Sequence, residues 1–427
     1  MPALLLRLLY RGLAYGLLPV LALVTQLRGP WTWREWGRFG ERFGYVSPAI
    51  GDVIWVHAVS VGEVQAAGPL LRALASRYPG YALYLTATTV TGRARAEALY
   101  GKTVTLAYAP VDLPSVVRRF CRRVDPQLLI VLETELWPHL YFEIHRRKIP
   151  LIMASARLSA RSARRYRLVA PLLRTMFAGQ VLIAAQSAAD QERFIRVGAT
   201  RVQVPVVGNL KFDVELPADT ASAAQQLRAQ LGTDRPIWVA GSTHAVEEEL
   251  VLDAQCVVRN RLDRALLVLA PRHPGRFDAV AGLLQRRGIC FVRYSTREPV
   301  TDSVEVLLLD TVGDLMRFYA SADLAFIGGS LVPIGGHNLL EPASLGLPMI
   351  SGPHNANAAG VAALLSETGA LCIVSDASSF GLQVMSWLQD PAERLRLGAR
   401  ARACVQENRG ALLRLLGLLP KSLKRQV

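Results

Sequence analysis

Hydrophobic residues recur along this chain in short continuous runs, and each run is followed by a longer stretch with apolar residues at helical spacing. The first runs lie at 53–56, 81–86, 103–108, 127–132, 150–154 and 181–185. After a polar segment at 215–235 they resume at 237–240, 265–270, 306–309, 324–327, 347–350 and 371–374. Short apolar runs that alternate with helices are typical of βαβ units and parallel sheets. The pattern predicts an α/β protein with two doubly wound domains joined near residue 215.

The amino terminus has a different pattern, because residues 12–27 are apolar and uncharged while arginines flank them on both sides. The run is shorter than the about 20 residues that span a bilayer. A signal peptide and a helix docked on the protein's own core are alternatives. The pattern favours an uncleaved anchor that enters or lies in the membrane, with Trp31, Trp33 and Trp36 at the interface. The predicted division is an anchor at 1–28, a first domain at 29–214 and a second domain at 215–427.

The formal net charge of +15 over 427 residues indicates an anionic partner, which is nucleic acid, a membrane surface or a phosphorylated substrate. The sequence contains no stripe of clustered Lys and Arg interleaved with aromatic residues, so nucleic acid is the least favoured of the three. It also lacks the GxxxxGK[ST] and HExxH motifs and any zinc-type cysteine spacing. A P-loop phosphotransferase and a zinc site of a known motif are therefore not expected.

Three residues of the turn after the first predicted strand are candidates for chemistry. Ser60 and Gly62 lie between this strand and the next helix, where backbone amides can contact a ligand. Glu63 lies in the first helical turn, where its carboxylate either caps the helix or acts on a ligand, since α/β sheets bind ligands at the carboxyl ends of their strands. Position alone leaves both roles open.

A second acidic site follows the aliphatic run that ends at Leu132. Glu133 and Glu135 form either an acid/base or metal-binding pair or an acidic helix start, and their spacing favours the helix start. Lys211, at the end of the first domain, is either a phosphate contact or an exposed side chain.

In the second domain, Pro271 and Arg272 come directly after a strand, where a phosphate or carboxylate would lie. The glycines at 328–329 and 335–336 precede a helix and let the backbone approach an anion. Glu341, one turn into that helix, is a candidate acceptor for ribose hydroxyls. Together these features indicate a nucleotide mono- or diphosphate site.

Seven short blocks of sequence together resemble those of a known protein family. They are HAVSVGE (57–63), LETELWP (132–138), ARLS (156–159), GNLKFD (208–213), GSTH (241–244), APRHP (270–274) and GGHNLLEPA (335–343). In this order, over the chain to about residue 400, they resemble the Kdo transferases, which attach 3-deoxy-D-manno-octulosonic acid (Kdo) to the lipid A precursor in lipopolysaccharide biosynthesis. The chain departs from the family pattern at Ser155, where asparagine is usual, at Val90, where proline is common, and at Ala245 and Val246, where Glu-Gly is expected.

The resemblance implies a GT-B fold, with two Rossmann-like domains facing each other across a cleft, and an inverting glycosyltransferase that uses CMP-Kdo without a metal or cofactor. By the resemblance, Glu63 is the general base, and Glu133 and Lys211 stabilise the transition state. The resemblance also implies which residues contact CMP: Pro271, Arg272, Val312, Gly313, Asp314, Asn338, Leu339, Leu340 and Glu341.

The implied acceptor is a glucosamine hydroxyl of the tetraacylated lipid A precursor at the cytoplasmic face of the bacterial inner membrane. The anchor and the excess of basic residues fit such an anionic lipid surface. Two alternatives are a UDP-sugar-dependent GT-B transferase acting on another lipid, and a non-enzymatic basic protein that binds nucleic acid or membranes.

Overall fold

The computed structural model describes residues 2–28, 37–421 and 423. The three tryptophans predicted at the membrane interface, Trp31, Trp33 and Trp36, lie outside the described residues. The described chain divides into two compact units. The first comprises residues 1–213 and 409–427, and the second comprises residues 214–408.

The strands of both units follow the predicted apolar runs. Those of the first unit are β1 (Val53–His57), β2 (Ala82–Ala87), β3 (Thr105–Tyr108), β4 (Pro126–Leu132), β5 (Leu151–Ala156) and β6 (Val181–Ala185). Those of the second are β7 (Ile237–Thr243), β8 (Leu266–Pro271), β9 (Phe291–Arg293), β10 (Val306–Leu308), β11 (Leu324–Ile327), β12 (Met349–Ser351) and β13 (Leu371–Ile373). The short strand β9 was not predicted.

Helices connect these strands. In the first unit they are α1 (Pro2–Arg28), α2 (Val61–Arg77), α3 (Val90–Tyr100), α4 (Pro114–Val124), α5 (Pro138–Arg146), α6 (Ala160–Tyr166), α7 (Ala170–Phe177) and α8 (Ala188–Arg196). In the second they are α9 (Thr220–Leu231), α10 (Glu247–Arg259), α11 (Phe277–Arg286), α12 (Leu315–Ser321), α13 (Leu340–Leu345), α14 (Ala359–Glu367), α15 (Ala377–Gln389) and α16 (Pro391–Asn408). The last helix, α17 (Ala411–Gly417), belongs to the first unit.

Both sheets are parallel, as predicted. In the described part of the chain, the first has the order β3-β2-β1-β4-β5-β6, and the second has the order β13-β12-β11-β7-β8-β10-β9. Buried aliphatic residues on both faces of the central strands form the cores beneath the helices. The strand order reverses between β1 and β4 in the first sheet and between β7 and β11 in the second. Ligands of doubly wound folds bind at the carboxyl ends of the strands at such a reversal.

The carboxyl-terminal segment corrects the predicted domain division. Residues 409–427 were assigned to the second domain, but the described residues among them, 409–421 and 423, belong to the first unit. Leu415 and Leu419 are buried in the same core as β1, and the carboxylate of Asp213 accepts hydrogen bonds from the backbone N–H groups of Gly410 (2.7 Å) and Leu412 (2.6 Å). These contacts join residues almost 200 positions apart, so no local sequence pattern predicts them.

Helix α1 is partly docked on the first unit. Leu6 packs against its core, the Arg7 guanidinium lies 4.1 Å from the centre of the Phe142 ring, and the Tyr10 hydroxyl donates to Asp112 at 2.9 Å. Leu4, Leu5, Leu8, Leu9 and Leu13 instead project into solvent and are each 54–63% exposed. Among the described residues, no helix has the length and apolar character needed to cross a membrane.

Candidate functional site

The first candidate residues lie at the strand-order reversal of the first unit. Ser60 is the N-cap of α2, and its hydroxyl accepts a hydrogen bond from the Glu63 N–H at 3.4 Å. The Glu63 carboxylate accepts hydrogen bonds in return from the Val59 N–H at 2.8 Å and the Ser60 hydroxyl at 2.9 Å. Ser60 therefore caps the start of the helix, and the Glu63 carboxylate reaches back to the N–H of Val59, the residue before the N-cap. Gly62 is exposed on the same turn.

Glu63 is only 8% exposed, and this environment changes the proton affinity of its carboxyl group. Burial raises its pKa to about 7, and the charges of Glu133 and Glu135 act in the same direction. The hydrogen bonds from Val59 and Ser60 lower this pKa but do not offset the burial. A carboxyl group with a pKa near the working pH combines a useful population of the ionised form with appreciable basicity. Glu63 therefore caps its helix and is also suited to take up a proton.

Two residues far apart in sequence form an ion pair beside this helix start. Glu133 follows β4, which adjoins β1, and it adopts a left-handed backbone conformation with φ of 56°. The Lys211 ammonium lies 2.6 Å from the Glu133 carboxylate, and about a third of each side chain is exposed. A non-glycine residue at positive φ carries a conformational cost of the order of 1–3 kcal/mol and is often found at functional sites. The structure thus brings the predicted Glu63, Glu133 and Lys211 into one part of the first unit.

Sequence reasoning missed the residues that hold Glu135. The Trp137 indole N–H donates to the Glu135 carboxylate at 2.7 Å, and the ring of the buried His57 packs edge-on against Trp137 with ring centres 5.0 Å apart. His57 in turn is 2.9 Å from the Thr86 hydroxyl on β2. The HAVSVGE and LETELWP blocks are therefore in direct contact. The sequence signal for this contact was the aromatic side chain in each block, His57 and Trp137, to which no role had been assigned.

In the second unit, the predicted residues follow three strands. Pro271 ends β8, and the Arg272 N–H donates to the Thr243 carbonyl at the end of β7, at 2.9 Å. Val312 and Gly313 are exposed in the loop before α12, where Asp314 accepts a hydrogen bond from the Thr311 hydroxyl at 2.7 Å.

The last predicted group begins helix α13. The Asn338 side chain accepts from the Leu340 N–H and donates to the Glu341 carboxylate, both at 3.0 Å. Leu339 and Leu340 are buried, so of these residues only Asn338 and Glu341 present polar side-chain groups.

The glycine turn after β11 differs from the prediction. We expected its amides to face a bound anion, but the backbone N–H groups of Gly329 (2.7 Å), Ser330 (3.1 Å) and Leu331 (3.0 Å) all donate to the Glu247 carboxylate. The N–H of His244 donates to the same group at 3.1 Å. Glu247 is fully buried, so a side chain of the protein already fills this anion-binding turn. Sequence reasoning missed Glu247 because acidic residues are common in the first turn of a helix.

The described residues contain no group of three or more His, Cys, Asp or Glu side chains arranged to hold a metal ion. The polar groups gathered at the two strand-order reversals are carboxylates, a lysine, arginines, histidines and an asparagine. Such groups act in proton transfer and in binding anions.

Comparison with known proteins decides the family. A family model described as 3-deoxy-D-manno-octulosonic-acid transferase (kdotransferase) matches residues 37–214. The 3-deoxy-D-manno-octulosonic acid transferase of Haemophilus influenzae is 41% identical over 394 residues, which are 91% of this chain and 92% of that protein. The chain belongs to the Kdo transferase family. The Bordetella pertussis member is 35% identical to this transferase over 411 residues, 91% of this chain and 94% of the relative.

Solved structures support the fold of this Kdo transferase. Anabaena Alr3699/HepE in complex with UDP has a TM-score of 0.52 at 15% identity, covering 86% of this chain and 98% of that one. Acinetobacter baumannii MurG has a TM-score of 0.53 at 12% identity, covering 86% and 99%. The two parallel-sheet α/β units are thus shared with glycosyltransferases of the GT-B type. The protein is a glycosyltransferase, and its family supports Kdo transfer in lipopolysaccharide synthesis.

Proposed function

We propose that this enzyme transfers Kdo from CMP-Kdo, with inversion, to a glucosamine hydroxyl of the tetraacylated lipid A precursor, and that Glu63 is the general base. The observation that carries the proposal is the raised pKa of the buried Glu63 carboxyl, about 7, at the strand-order reversal of the first unit. A base of this strength takes the proton of the acceptor hydroxyl as the hydroxyl attacks the anomeric carbon.

The neighbouring ion pair has a different proposed role. Attack on the sugar builds positive charge at the anomeric carbon and negative charge on the departing CMP. Glu133 and Lys211 provide one charge of each sign, held together at 2.6 Å, beside the proposed base. Preorganised charges of this kind stabilise a transition state more than a ground state. In the second unit, we propose that the residues 271–272, 312–314 and 338–341 bind the CMP portion of the donor.

The central test is to incubate the protein with CMP-Kdo and the lipid A precursor and to identify the lipid product by mass spectrometry. Glu63→Gln should reduce the transfer rate roughly 10²–10⁴-fold, because it removes the base but keeps a side chain of the same shape. CMP binding should be unchanged. Substantial turnover by Glu63→Gln would contradict the assignment. A thermal-shift titration in which UDP, and not CMP, raises the melting temperature would contradict the donor.

The first unit provides a matched control for this variant. Ser187 caps α8 as Ser60 caps α2: its hydroxyl donates to the Asp190 carboxylate at 2.6 Å and accepts from the Asp190 N–H at 3.2 Å. The Asp190 carboxylate also accepts from the Leu158 N–H at 3.0 Å and pairs with Arg193 at 3.2 Å. Asp190→Asn should therefore lower stability, because it removes the charge that binds Ser187 and Arg193, but leave the transfer rate unchanged. If both variants lost activity in proportion to stability, the effect of Glu63→Gln would be one of folding.

We further propose that the enzyme works at the cytoplasmic face of the inner membrane, with α1 lying in the interface as its anchor. Five leucines of α1 are exposed on a helix whose other face is docked on the protein. An exposed leucine gains on the order of 1 kcal/mol when its free surface leaves water. The net charge of +15 adds attraction to anionic lipids.

This anchoring is tested with vesicles that contain an anionic phospholipid. The triple variant Leu5→Ser, Leu9→Ser and Leu13→Ser should weaken sedimentation with vesicles roughly a hundredfold or more. A control variant, Leu382→Ser with Leu395→Ser, changes leucines that are 55% and 76% exposed in the second unit. It should bind as the unmodified protein does. Equal loss in both variants, or loss in neither, would contradict the proposal.

A further inference from the structure

A pair of histidines occupies the strand-order reversal of the second unit, and none of the roles described above uses it. His244 follows β7, and His337 lies in the loop that follows β11, the two strands between which the order reverses. Their Nε2 atoms are 2.7 Å apart, and the two rings are almost parallel, at 9°. Because two bare nitrogen lone pairs repel at this distance, a proton must lie between them.

The shared proton determines what the pair presents to a ligand. In the neutral pair, one ring donates through Nε2–H and has a bare Nδ1, and the other accepts through Nε2 and carries Nδ1–H. Within the described part of the chain, neither Nδ1 atom has a hydrogen-bond partner, and neither is fully buried from solvent. The pair thus offers one N–H donor, and it offers two once it takes up a further proton.

The protein holds this pair in place through buried contacts. The Glu247 carboxylate binds the backbone N–H of His244 and the three amides of the turn at 329–331. In that turn, the Gly329 carbonyl accepts a hydrogen bond at 2.8 Å from the N–H of Gly336, the residue before His337. Gly329 must lack a side chain, because a Cβ atom there would lie 2.9 Å from the His337 ring and because its φ is +69°. A fully buried carboxylate therefore fixes the backbone on both sides of the pair.

The charges around the pair favour an anion. Arg272, His273 and Arg276 approach it from the segment after β8, and burial together with these groups lowers the pKa of both histidines, that of His337 to about 4. The nearby carboxylates are already engaged, since Glu247 binds backbone amides and Glu248 binds the Arg276 guanidinium at 2.7 and 3.1 Å. An anion that enters next to the imidazoles reverses the local field and makes the additional proton favourable.

We propose that His244 and His337 form an anion-binding subsite for the donor, in which imidazole N–H groups donate to an anionic oxygen and the pair takes up a proton from solvent when the donor binds. This inference rests on the proposed function, because it takes the donor to be CMP-Kdo. The oxygen belongs either to the nucleotide phosphate or to the carboxylate of the sugar acid. Both are anionic at neutral pH and suit the same donors.

The test compares three ligands by calorimetry: cytidine, CMP and CMP-Kdo. His337→Gln keeps an amide near the position of Nε2 but removes Nδ1. It should weaken CMP-Kdo binding about tenfold to a hundredfold, the usual effect of losing a hydrogen bond to a charged group, and leave cytidine binding unchanged. A loss that already appears with CMP assigns the subsite to the phosphate. A loss confined to CMP-Kdo assigns it to the carboxylate.

The proton provides a second readout that a merely structural role would not change. CMP-Kdo binding should be measured in buffers of different ionisation enthalpy, in a Glu63→Gln background that removes the other group titrating near pH 7. Net proton uptake of up to one per site should occur with His337 intact and disappear in His337→Gln. His354→Gln, which changes an exposed histidine of the same unit, is the control.

Two results would overturn the subsite. One is unchanged CMP-Kdo affinity and proton uptake in His337→Gln. The other is an equal loss for cytidine, CMP and CMP-Kdo, which would mean that the variant has only disturbed the fold. If the unmodified protein bound no CMP-Kdo, the proposed function would itself be wrong, and the subsite would fail with it.

Discussion

Replacing Val246 with glycine should stabilise the second unit. Val246 is the residue before α10, and it has φ of 72° and ψ of −41°, close to the rare, strained type of γ-turn. A β-branched residue at positive φ is a genuine outlier, and such strain costs of the order of 1–3 kcal/mol. The family resemblance predicts glycine here, and the structure gives the physical reason, because glycine adopts this conformation without a steric penalty.

The size of the gain follows from three contributions. Relief of strain adds about 1–3 kcal/mol. The greater freedom of glycine in the unfolded chain subtracts about 0.5–1 kcal/mol. Because Val246 is 66% exposed, the lost burial is about a third of a valine side chain, or roughly 0.5–1 kcal/mol. The midpoints of these ranges give a net gain of about 0.5 kcal/mol, which raises the melting temperature of a unit of this size by about 1–2 °C.

Urea unfolding measures this gain, with Trp238 and Trp387 as fluorescent reporters inside the second unit. Val246→Ala is the matched control, since it removes the branched methyl groups but keeps the Cβ atom that clashes at positive φ. Val246→Gly should gain more stability than Val246→Ala. If Val246→Gly lost stability, or if the two variants were equally stable, the backbone at Val246 would not be strained.

Four further predictions concern the first unit. The kcat/KM for transfer should rise with pH through about 7, as the Glu63 carboxyl ionises. In Glu133→Gln this rise in kcat/KM should occur at lower pH, because a neighbouring negative charge has been removed. Because the pKa of Glu63 is raised in the folded protein, its contribution to stability is complete below about 4.5 and is lost as the pH rises through 7. Glu63→Gln should therefore be less sensitive than the unmodified protein to a change from pH 5 to pH 8 in urea unfolding. Ser155→Asn should gain about 0.5–1 kcal/mol in the same assay, because asparagine tolerates the observed φ of 53° better and can still accept the Leu210 N–H. Tyr10→Phe should cost about 1–2 kcal/mol, measured by thermal unfolding at pH 8, because the partly buried Asp112 carboxylate loses a hydrogen bond.

The alternation of apolar runs was sufficient to predict two parallel sheets, because strands buried on both faces must be continuously apolar. It did not predict the short strand β9, whose three residues are only half-buried. The carboxyl-terminal return to the first unit was also missed, since it depends on Asp213 binding amides that are almost 200 residues away. Pairing over such distances has no local signature.

The candidate site shows the same division between local and distant information. The S-x-x-E spacing of Ser60 and Glu63 is a visible capping signature, and in the structure Ser60 caps the helix while the Glu63 carboxylate binds the Ser60 hydroxyl and the Val59 N–H. The contact between Glu133 and Lys211 joins residues 78 positions apart, and only the fold brings them together. The occupied glycine turn is a similar case, because Glu247 reaches it from the helix after a different strand.

Capping and proton transfer were rival explanations of Glu63, but in the mechanism that we propose they depend on each other. The capping hydrogen bonds hold the carboxylate in one orientation and lower its pKa, whereas burial and the charges of Glu133 and Glu135 raise it. Lys211 is paired with Glu133, so it neutralises only one of the three carboxylates. A cap without this burial would be too weak a base at neutral pH, and a buried carboxyl without the cap would have no fixed direction. The final pKa, about 7, is the balance of these opposing effects, of which burial is the largest.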